Sequence, residues 1–209
     1  MRATTWSCGL LVGAAALAPL CLRGVLIAEK LGLPGVADVG GVFSDLAVAA
    51  AFAALLILLS RVSRLLAAGA LAFWALLHYA NYENALALDA LASYADLRFL
   101  GDETFVRGSA LWISSPVLLV GLVAAGALLG WLLAPRTGGA LRPAGAALAA
   151  SLVLFGAHAL WMSGQFPVGW RYADFLQVNA TRLWAASTGG SEHLASAAMT
   201  ERLPALLAN

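Results

Sequence analysis

Five apolar stretches, each about 20 residues long, take up about half of this 209-residue chain, and nearly all of its charged residues lie outside them. A helix of roughly 20 apolar residues is long enough to cross the hydrocarbon core of a bilayer. Charged residues make up only 11 % of the chain, whereas a soluble domain has roughly 25 %. Such a chain could not cover its surface with polar groups in water. The sequence therefore predicts an all-α, polytopic integral membrane protein.

The cost of placing charge in lipid sets the limits of the spans. A charged side chain at a helix centre costs roughly 2.5–3.5 kcal/mol, while each leucine returns only about 0.3–0.6 kcal/mol. The third span is therefore expected to end before Glu83. The small residues Ala16-Leu17-Ala18 could form a signal-peptide cleavage site, but Pro19 directly after them favours a retained first helix. The predicted transmembrane domain, residues 1–163, has spans over residues 6–28, 42–60, 65–82, 110–133 and 144–163.

The positive charges between the spans predict the orientation of the bundle. With the N-terminus inside, the inner segments carry five of the 12 basic residues and none of the 11 acidic ones. These five are Arg2, Arg61, Arg64, Arg136 and Arg142. We expect a multi-pass protein of the inner (plasma) membrane, with a cytoplasmic N-terminus and an extracytoplasmic C-terminus.

Two outer segments are predicted to contain amphipathic helices that lie along the membrane surface. In residues 79–109, leucines recur among polar residues, which is typical of a platform for lipid headgroups or a partner domain, or of a solvated connector. In residues 164–209, an interfacial helix and a linker are expected. Arg171, Asp174, Val178 and Arg182 would form one stripe of that helix, between Trp170 and Trp184. Such a tail is typical of a connection to another domain.

No arrangement of residues predicts catalysis, transport or a metal site. Pumps and channels need buried carboxylates or a polar stripe. No acid is expected in the interior of a span, and Asp45 is placed at the edge of the second one. His78 and His158 are predicted near the outer ends of their spans, bonded to neighbouring carbonyls. The only further candidate metal ligands are Asn81, Glu83 and His193, which have no diagnostic spacing, so no cofactor is predicted. The net charge of +1 provides no basic stripe for nucleic acid.

Small residues predict where helices approach closely. Gly126 and Gly130 form a GxxxG pair in the fourth span. Glycines at this spacing let two backbones pack together. We expect an internal packing face here rather than a dimer interface.

Several outer stretches resemble one family of membrane enzymes. The run His78-Tyr79-Ala80-Asn81-Tyr82-Glu83 is followed by residues 96–100 (DLRFL) and 104–109 (TFVRGS), and Trp170-Arg171 precedes Asn179. With five spans and an outer C-terminus, these stretches resemble the membrane region of lipoteichoic-acid-synthase-like, sulfatase-fold transferases, which move phosphoglycerol or phosphoethanolamine. The resemblance implies that catalysis belongs to an alkaline-phosphatase-like domain with a threonine nucleophile and a divalent metal. None of those catalytic residues can be placed on this chain.

The resemblance implies a membrane-anchoring and lipid-presenting module of an extracytoplasmic sulfatase-like transferase. Its expected partners are membrane lipid and a catalytic sulfatase-like domain or subunit. The candidate contacts with lipid headgroups or with that domain are Asn81, Glu83, Arg98, Arg107 and Arg171. Each of them could instead be a solvated interface residue. The competing hypothesis is a non-enzymatic membrane scaffold or assembly subunit.

Overall fold

The computed structural model describes residues 2–36, 38–94, 113–134, 141–162 and 169–187. Contacts along the chain divide it into two compact units, Met1–Phe175 and Leu176–Asn209. The helices are α1 (Arg2–Lys30), α2 (Asp38–Val62), α3 (Arg64–Leu88), α4 (Pro116–Leu133), α5 (Leu141–Trp161) and α6 (Phe175–Ser187).

The predicted fold class is confirmed. Within the described ranges the regular structure is entirely helical, and α1 to α5 are each long and apolar enough to cross a membrane. The chain is therefore an all-α, multi-pass membrane bundle.

The third helix extends further than the predicted third span. Helix α3 continues past Tyr82 to Leu88 and ends where Asp89 adopts a left-handed conformation (φ 54°) and donates its backbone N–H to Ala85. Glu83 does not end the helix because its carboxylate accepts hydrogen bonds from the backbone N–H and the hydroxyl of Ser114, at 2.9 and 2.8 Å. A charge bonded in this way is tolerated at the helix end. Helix α3 thus extends beyond Tyr82, and the membrane limit at residue 82 stays a prediction.

Helices α1, α2 and α3 form the centre of the bundle, with α4 packed on α3 and α5 packed on α2. About half of α1 and of α2 is buried within the protein, against 11 % of α4 and 22 % of α5. The outer faces of α4 and α5 carry exposed apolar side chains, among them Val117, Val120, Leu152 and Leu160. Apolar surfaces of this kind suit contact with lipid tails.

The glycine pair of α4 packs against the backbone of α3, so the predicted internal packing face is confirmed. A Cβ atom built on Gly126 would lie 2.8 Å from the carbonyl oxygen of Leu71, and one built on Gly130 would lie 2.7 Å from the Cα of Ala68. Such close approach is possible only because both residues lack a side chain.

A tryptophan of α3 compensates for the proline inside α1. Pro19 has no N–H, so the carbonyl of Ala15, four residues earlier, loses its helical donor. The indole Nε1 of Trp74 donates to that carbonyl at 2.8 Å, while Phe52 of α2 stacks on the same indole ring at 4.0 Å. Backbone groups freed by proline in a membrane helix must find other partners. Trp74 thus fixes α1 beside α3.

The outer segments differ from the amphipathic helices that the sequence predicts. Residues 79–88 continue α3, Leu91 follows its C-terminal cap, and residues 95–109 lie outside the described ranges. Residues 169–174 form a turn, closed by hydrogen bonds from the N–H groups of Tyr172 and Ala173 to the carbonyl of Gly169. The predicted stripe is therefore wrong for Arg171 and Asp174, which precede the helix that begins at Phe175.

Within the second unit, the described chain reaches residue 187. Helix α6 has exposed Leu183 and Trp184 side chains. The Thr181 hydroxyl donates to the carbonyl of Gln177 at 2.9 Å. The helical part of the predicted tail is thus present, but it is shorter than expected.

Candidate functional site

A buried ion pair joins α1 to α2 inside the bundle. The Arg23 guanidinium holds both carboxylate oxygens of Asp45, with Nε–Oδ2 at 2.5 Å and Nη2–Oδ1 at 2.7 Å. The two side chains are only 8 % and 2 % exposed. Each residue lies seven positions from its helix end, which is about 10 Å along the axis. The sequence places Asp45 at the edge of the second span, and the structure buries its carboxylate within the bundle.

The ion pair escaped prediction because hydropathy scores each residue separately. A buried arginine and a buried carboxylate are each costly in lipid, whereas a bidentate pair neutralises both. Intramembrane ionisable residues are candidates for function. The Arg23–Asp45 pair is therefore the starting point for the site.

Arg23 also binds the turn that follows α5, residues 169–174. Its Nη1 donates to the carbonyl of Trp170, and its Nη2 donates to the carbonyl of Ala173 at 3.4 Å. One guanidinium thus serves a carboxylate of α2 and two carbonyls of the turn. It fixes the 169–174 segment to the centre of the bundle.

Two further helices bind the backbone of the same segment. The Ser44 hydroxyl of α2 accepts the N–H of Asp174 at 2.7 Å. His158 of α5 bonds the carbonyl of Tyr172 through Nε2 at 2.8 Å, so this nitrogen carries the proton. The prediction that a histidine bonds a neighbouring carbonyl is confirmed for His158. Because buried backbone groups need partners, these bonds let the segment pack against the helices.

Charged side chains fix the outer part of the segment. Arg171 makes a bidentate pair with Asp38, Nε–Oδ1 at 2.9 Å and Nη2–Oδ2 at 3.2 Å. The hydrogen bond to the carboxylate raises the pKa of Arg171 above its usual value. The carboxylate of Asp89 accepts from Lys30 Nζ and from Trp170 Nε1, both at 2.9 Å. These hydrogen bonds lower the pKa of Asp89, so it stays ionised at neutral pH.

Gly41 of α2 is the point where the segment comes closest to a helix. A Cβ atom built there would clash with the Arg23 guanidinium and with the carbonyl oxygen of Arg171. The guanidinium is already held by Asp45 and the carbonyl belongs to the backbone, so neither moves aside easily. The arrangement therefore requires glycine at position 41.

We expect Gly41→Ala to displace the 169–174 segment at a cost of about 1–3 kcal/mol, which is typical of overpacking. Trypsin cleavage after Arg171 in lipid nanodiscs, followed by mass spectrometry, should then accelerate about 5- to 150-fold. Gly24→Ala, next to Arg23 in α1, is the matched control because nothing lies within 4 Å of its Cβ position. Equal cleavage rates in the two variants would contradict the close fit at Gly41.

His78 lies beside the segment in a different environment. Its Nδ1 is 3.6 Å from Asp174 Oδ2, and both side chains are buried. The rings of Trp74 and Phe175 pack edge-on against it, with centroids 4.4 and 5.1 Å away. Its Nε2 is buried and has no hydrogen-bond partner among the described residues. The prediction of a carbonyl partner is therefore wrong for His78, which faces a carboxylate instead.

A small cavity of about 30 Å³ lies between α1, α2, α3 and the 169–174 segment. Its polar lining consists of Arg23, Asp45, His78, Asn81, Tyr82 and Asp174. Apolar residues of α1 and the chain after α3 complete the wall. The buried ion pair and His78 thus border the same space.

The structure gives different positions to the five predicted contact residues. The Oδ1 of Asn81 accepts the N–H of Ala92 at 2.9 Å, and Glu83 is held by Ser114. Both residues therefore fasten the chain around α3. Arg171 is paired with Asp38, while Arg98 and Arg107 lie outside the described residues.

Sequence analysis did not select four residues of the site. Arg23 and Ser44 bond the backbone of the segment, Asp45 pairs with Arg23, and the side chain of Asp174 faces His78. One signal was available. Arg23 and Asp45 have opposite charges and lie at matching distances from the outer ends of adjacent spans. Residues at equal depth on neighbouring helices are candidates for pairing. The sequence contains no comparable signal for Ser44, because its hydroxyl accepts the N–H of Asp174 only when the turn has folded against α2.

The described residues contain no group of three or more His, Cys, Asp or Glu side chains placed to hold a metal ion. In comparisons with known proteins, no family model, no curated protein and no solved structure matches the chain. The resemblance to sulfatase-fold transferases therefore stays a prediction.

Proposed function

We propose that this chain is a membrane-anchoring module that fixes an extracytoplasmic domain or subunit at the outer face of the bundle. The observation that carries the proposal is the binding of the 169–174 segment by three helices. Arg23, Ser44 and His158 bond its backbone, and Arg171 pairs with the buried Asp38. The segment ends where α6 begins, so the last turn of the first unit is held firmly.

Physical chemistry supports anchoring over a free linker. Bringing Arg23 and Asp45 into a lipid-embedded bundle costs desolvation energy that only good pairing offsets. A solvated connector needs no such pair beneath it. A fixed connection keeps an attached domain close to the bilayer, which raises its effective concentration toward membrane-bound substrate.

On the resemblance, the anchored domain is a sulfatase-like transferase that moves phosphoglycerol or phosphoethanolamine from a lipid. The arginine distribution supports a cytoplasmic N-terminus and an extracytoplasmic segment 169–174. On the resemblance, the membrane is the inner (plasma) membrane. The divalent metal implied by the resemblance would be held by the catalytic domain.

One observation favours the scaffold hypothesis as a second candidate. The side chains of Asn81 and Glu83 already accept hydrogen bonds from within the chain, and Arg171 donates to Asp38. These residues are therefore less suited to lipid headgroups than the sequence predicts. A scaffold needs only the anchored outer face, without any lipid chemistry.

The test uses cells that naturally make this chain, with its gene deleted and then restored as wild type, Arg171→Ala or Arg182→Ala. Turnover of radiolabelled phosphoglycerol and phosphoethanolamine lipids is measured. We expect deletion to abolish turnover of one of them and Arg171→Ala to lower it several-fold, because the buried Asp38 carboxylate loses its counter-charge. Arg182, an exposed residue of α6, is the matched control and should have no effect.

Orientation is measured in the same cells. A Ser187→Cys variant without Cys8 and Cys21 should react with a membrane-impermeant maleimide in intact spheroplasts. Labelling only after lysis would contradict the proposed topology. Unchanged lipid turnover after deletion would contradict the transferase role and leave the scaffold as the better account.

A further inference from the structure

The end of the bundle opposite to the 169–174 segment carries arginines and no nearby acidic residue of the same helices. Arg61 lies in the last turn of α2, Arg64 begins α3, and Arg142 is the second residue of α5. Residues 61–64 and 134–143 contain no aspartate or glutamate. The nearest acid along α2 is Asp45, roughly four helical turns before Arg61. These connections therefore provide no carboxylate to neutralise the arginines.

A shared apolar cluster brings the arginine-bearing helix ends together. Ile57 of α2 and Ala144 of α5 belong to this buried cluster, and Leu133 of α4 packs against it. Ile57 lies about one turn before Arg61, and Ala144 follows closely after Arg142. The positive charges are thus collected at one end of the bundle.

Arg64 is held over the indole ring of Trp131, which lies in the last turn of α4. The Cζ atom of the guanidinium is 5.9 Å from the centroid of the ring. The two side chains meet because Gly130, next to Trp131, packs against the backbone of Ala67 and Ala68 in the first turns of α3. Trp131 is still 44 % exposed, so the contact lies at the surface. An arginine in this position gains a cation–π attraction, and tryptophan prefers the membrane–water boundary.

The contact with Trp131 leaves the N–H donors of Arg64 available. A cation–π contact uses the face of the guanidinium, whereas its N–H groups point outward in its plane. Among the described residues, no carboxylate forms an ion pair with Arg64. A phosphate has the negative charge and the two adjacent oxygens that such a planar fork binds bidentately. The chemistry of Arg64 therefore suits a phosphate group.

The neighbours of Arg64 and Trp131 indicate which kind of phosphate would bind. Leu65 directly follows Arg64, Leu128 lies one turn before Trp131, and both are exposed. Exposed leucines suit acyl chains and offer nothing to a free phosphate ion. A choline headgroup would bring a second cation toward the arginines, whereas an anionic headgroup is attracted by them. These features together match an anionic phospholipid.

We propose that Arg64 and Trp131 form a binding site for one anionic phospholipid. The Arg64 guanidinium, positioned by the indole ring, holds the headgroup phosphate, and the acyl chains lie along the exposed apolar face of α4. A lipid bound here would contact α3 and α4 beside their close packing at Gly130. The site lies away from the 169–174 segment and does not depend on the proposed anchoring function.

The experiment is native mass spectrometry of the purified protein in a non-ionic detergent. Wild type, Arg64→Gln, Trp131→Leu and Arg142→Gln are titrated with phosphatidylglycerol or with phosphatidylcholine of the same acyl chains. Arg142→Gln is the matched control, because it removes the same charge at the same end of the bundle. No aromatic ring of the described residues lies beneath the Arg142 guanidinium. Equal affinity of all variants for phosphatidylcholine verifies that the apolar surface is intact.

We expect wild type to bind phosphatidylglycerol more tightly than phosphatidylcholine. Arg64→Gln should weaken phosphatidylglycerol binding about 10- to 150-fold, the range for hydrogen bonds to a charged group. Trp131→Leu keeps the charge and loses only the cation–π contact, so its loss should be about two- to fivefold. Arg142→Gln should cost at most about fivefold, as for an exposed charge.

Two results would overturn the proposal. One is an equal loss in Arg64→Gln and Arg142→Gln, which would indicate general attraction by positive charge instead of a site. The other is unchanged phosphatidylglycerol binding in both Arg64→Gln and Trp131→Leu. Inorganic phosphate should not displace the bound lipid, since it cannot cover the leucines, and displacement would exclude a lipid as the occupant. No transferase takes part in this measurement, so its outcome is separate from the test of the proposed function.

Discussion

Asp45→Ala is expected to destabilise the bundle by about 3–5 kcal/mol, because it leaves the Arg23 guanidinium buried without its carboxylate. The loss should be measured as the change in unfolding free energy in mixed micelles titrated with a denaturing detergent. Asp89→Asn is the matched control, because asparagine tolerates the left-handed backbone at this position (φ 54°) and keeps an acceptor oxygen for Trp170 Nε1. It removes an exposed carboxylate with an ion-pair partner of its own, Lys30, and surface pairs of this type contribute about 0–1 kcal/mol.

A double variant separates stability from the position of the 169–174 segment. Arg23→Met with Asp45→Leu removes both charges at similar volume, so most of the lost stability should return. The carbonyls of Trp170 and Ala173 would nevertheless lose their donors. Trypsin cleavage after Arg171 should therefore stay elevated although the helices are stable. A single Asp45→Ala variant within about 1 kcal/mol of wild type would contradict the buried pair.

Gly130→Val is expected to push α4 away from α3 at a cost of about 2–3 kcal/mol, at the upper end for overpacking. A Cβ atom at this position would lie 2.7 Å from the Cα of Ala68 and 2.8 Å from the carbonyl oxygen of Ala67. Both obstacles are backbone atoms of α3, so no side-chain rotation relieves the contact. The helices must separate instead.

Gly121→Val provides the control for this experiment. Gly121 lies on the same helix and has nothing within 4 Å of its Cβ position. Both variants change the intrinsic helix preference equally, so the difference between their unfolding free energies isolates the α3–α4 contact. A cysteine pair across the two helices, read by crosslinking yield, should report separation only in Gly130→Val. Equal unfolding free energies would contradict the close packing.

The spans could be predicted because they depend on local composition. Hydropathy placed all five helices, and the glycine spacing at Gly126 and Gly130 identified a real packing face. The end of α3 could not be placed. Its length depends on Ser114, which bonds Glu83 from 31 residues away. A free-energy cost of membrane insertion that is assigned to each residue separately cannot include a hydrogen-bond partner so distant in sequence.

The site could be predicted only in part for the same reason. Arg171 was selected from its sequence context, and the structure places it in an ion pair with Asp38. Helical periodicity assigned Arg171 and Asp174 to one face of a helix. In the structure, Arg23 and Ser44 bond the backbone of this segment, which forms a turn instead. The turn is determined by Arg23, about 150 residues earlier. Only the folded chain brings these groups together.

The proline in α1 has a consequence for how the protein is assembled. On its own in the lipid phase, α1 would carry an unneutralised guanidinium at Arg23 and a carbonyl at Ala15 that no helical N–H can reach. Asp45 of α2 neutralises the guanidinium, and Trp74 of α3 donates a hydrogen bond to the carbonyl. The polar groups of α1 are therefore satisfied only when all three helices are together. During synthesis, the release of α1 alone into the bilayer is unfavourable.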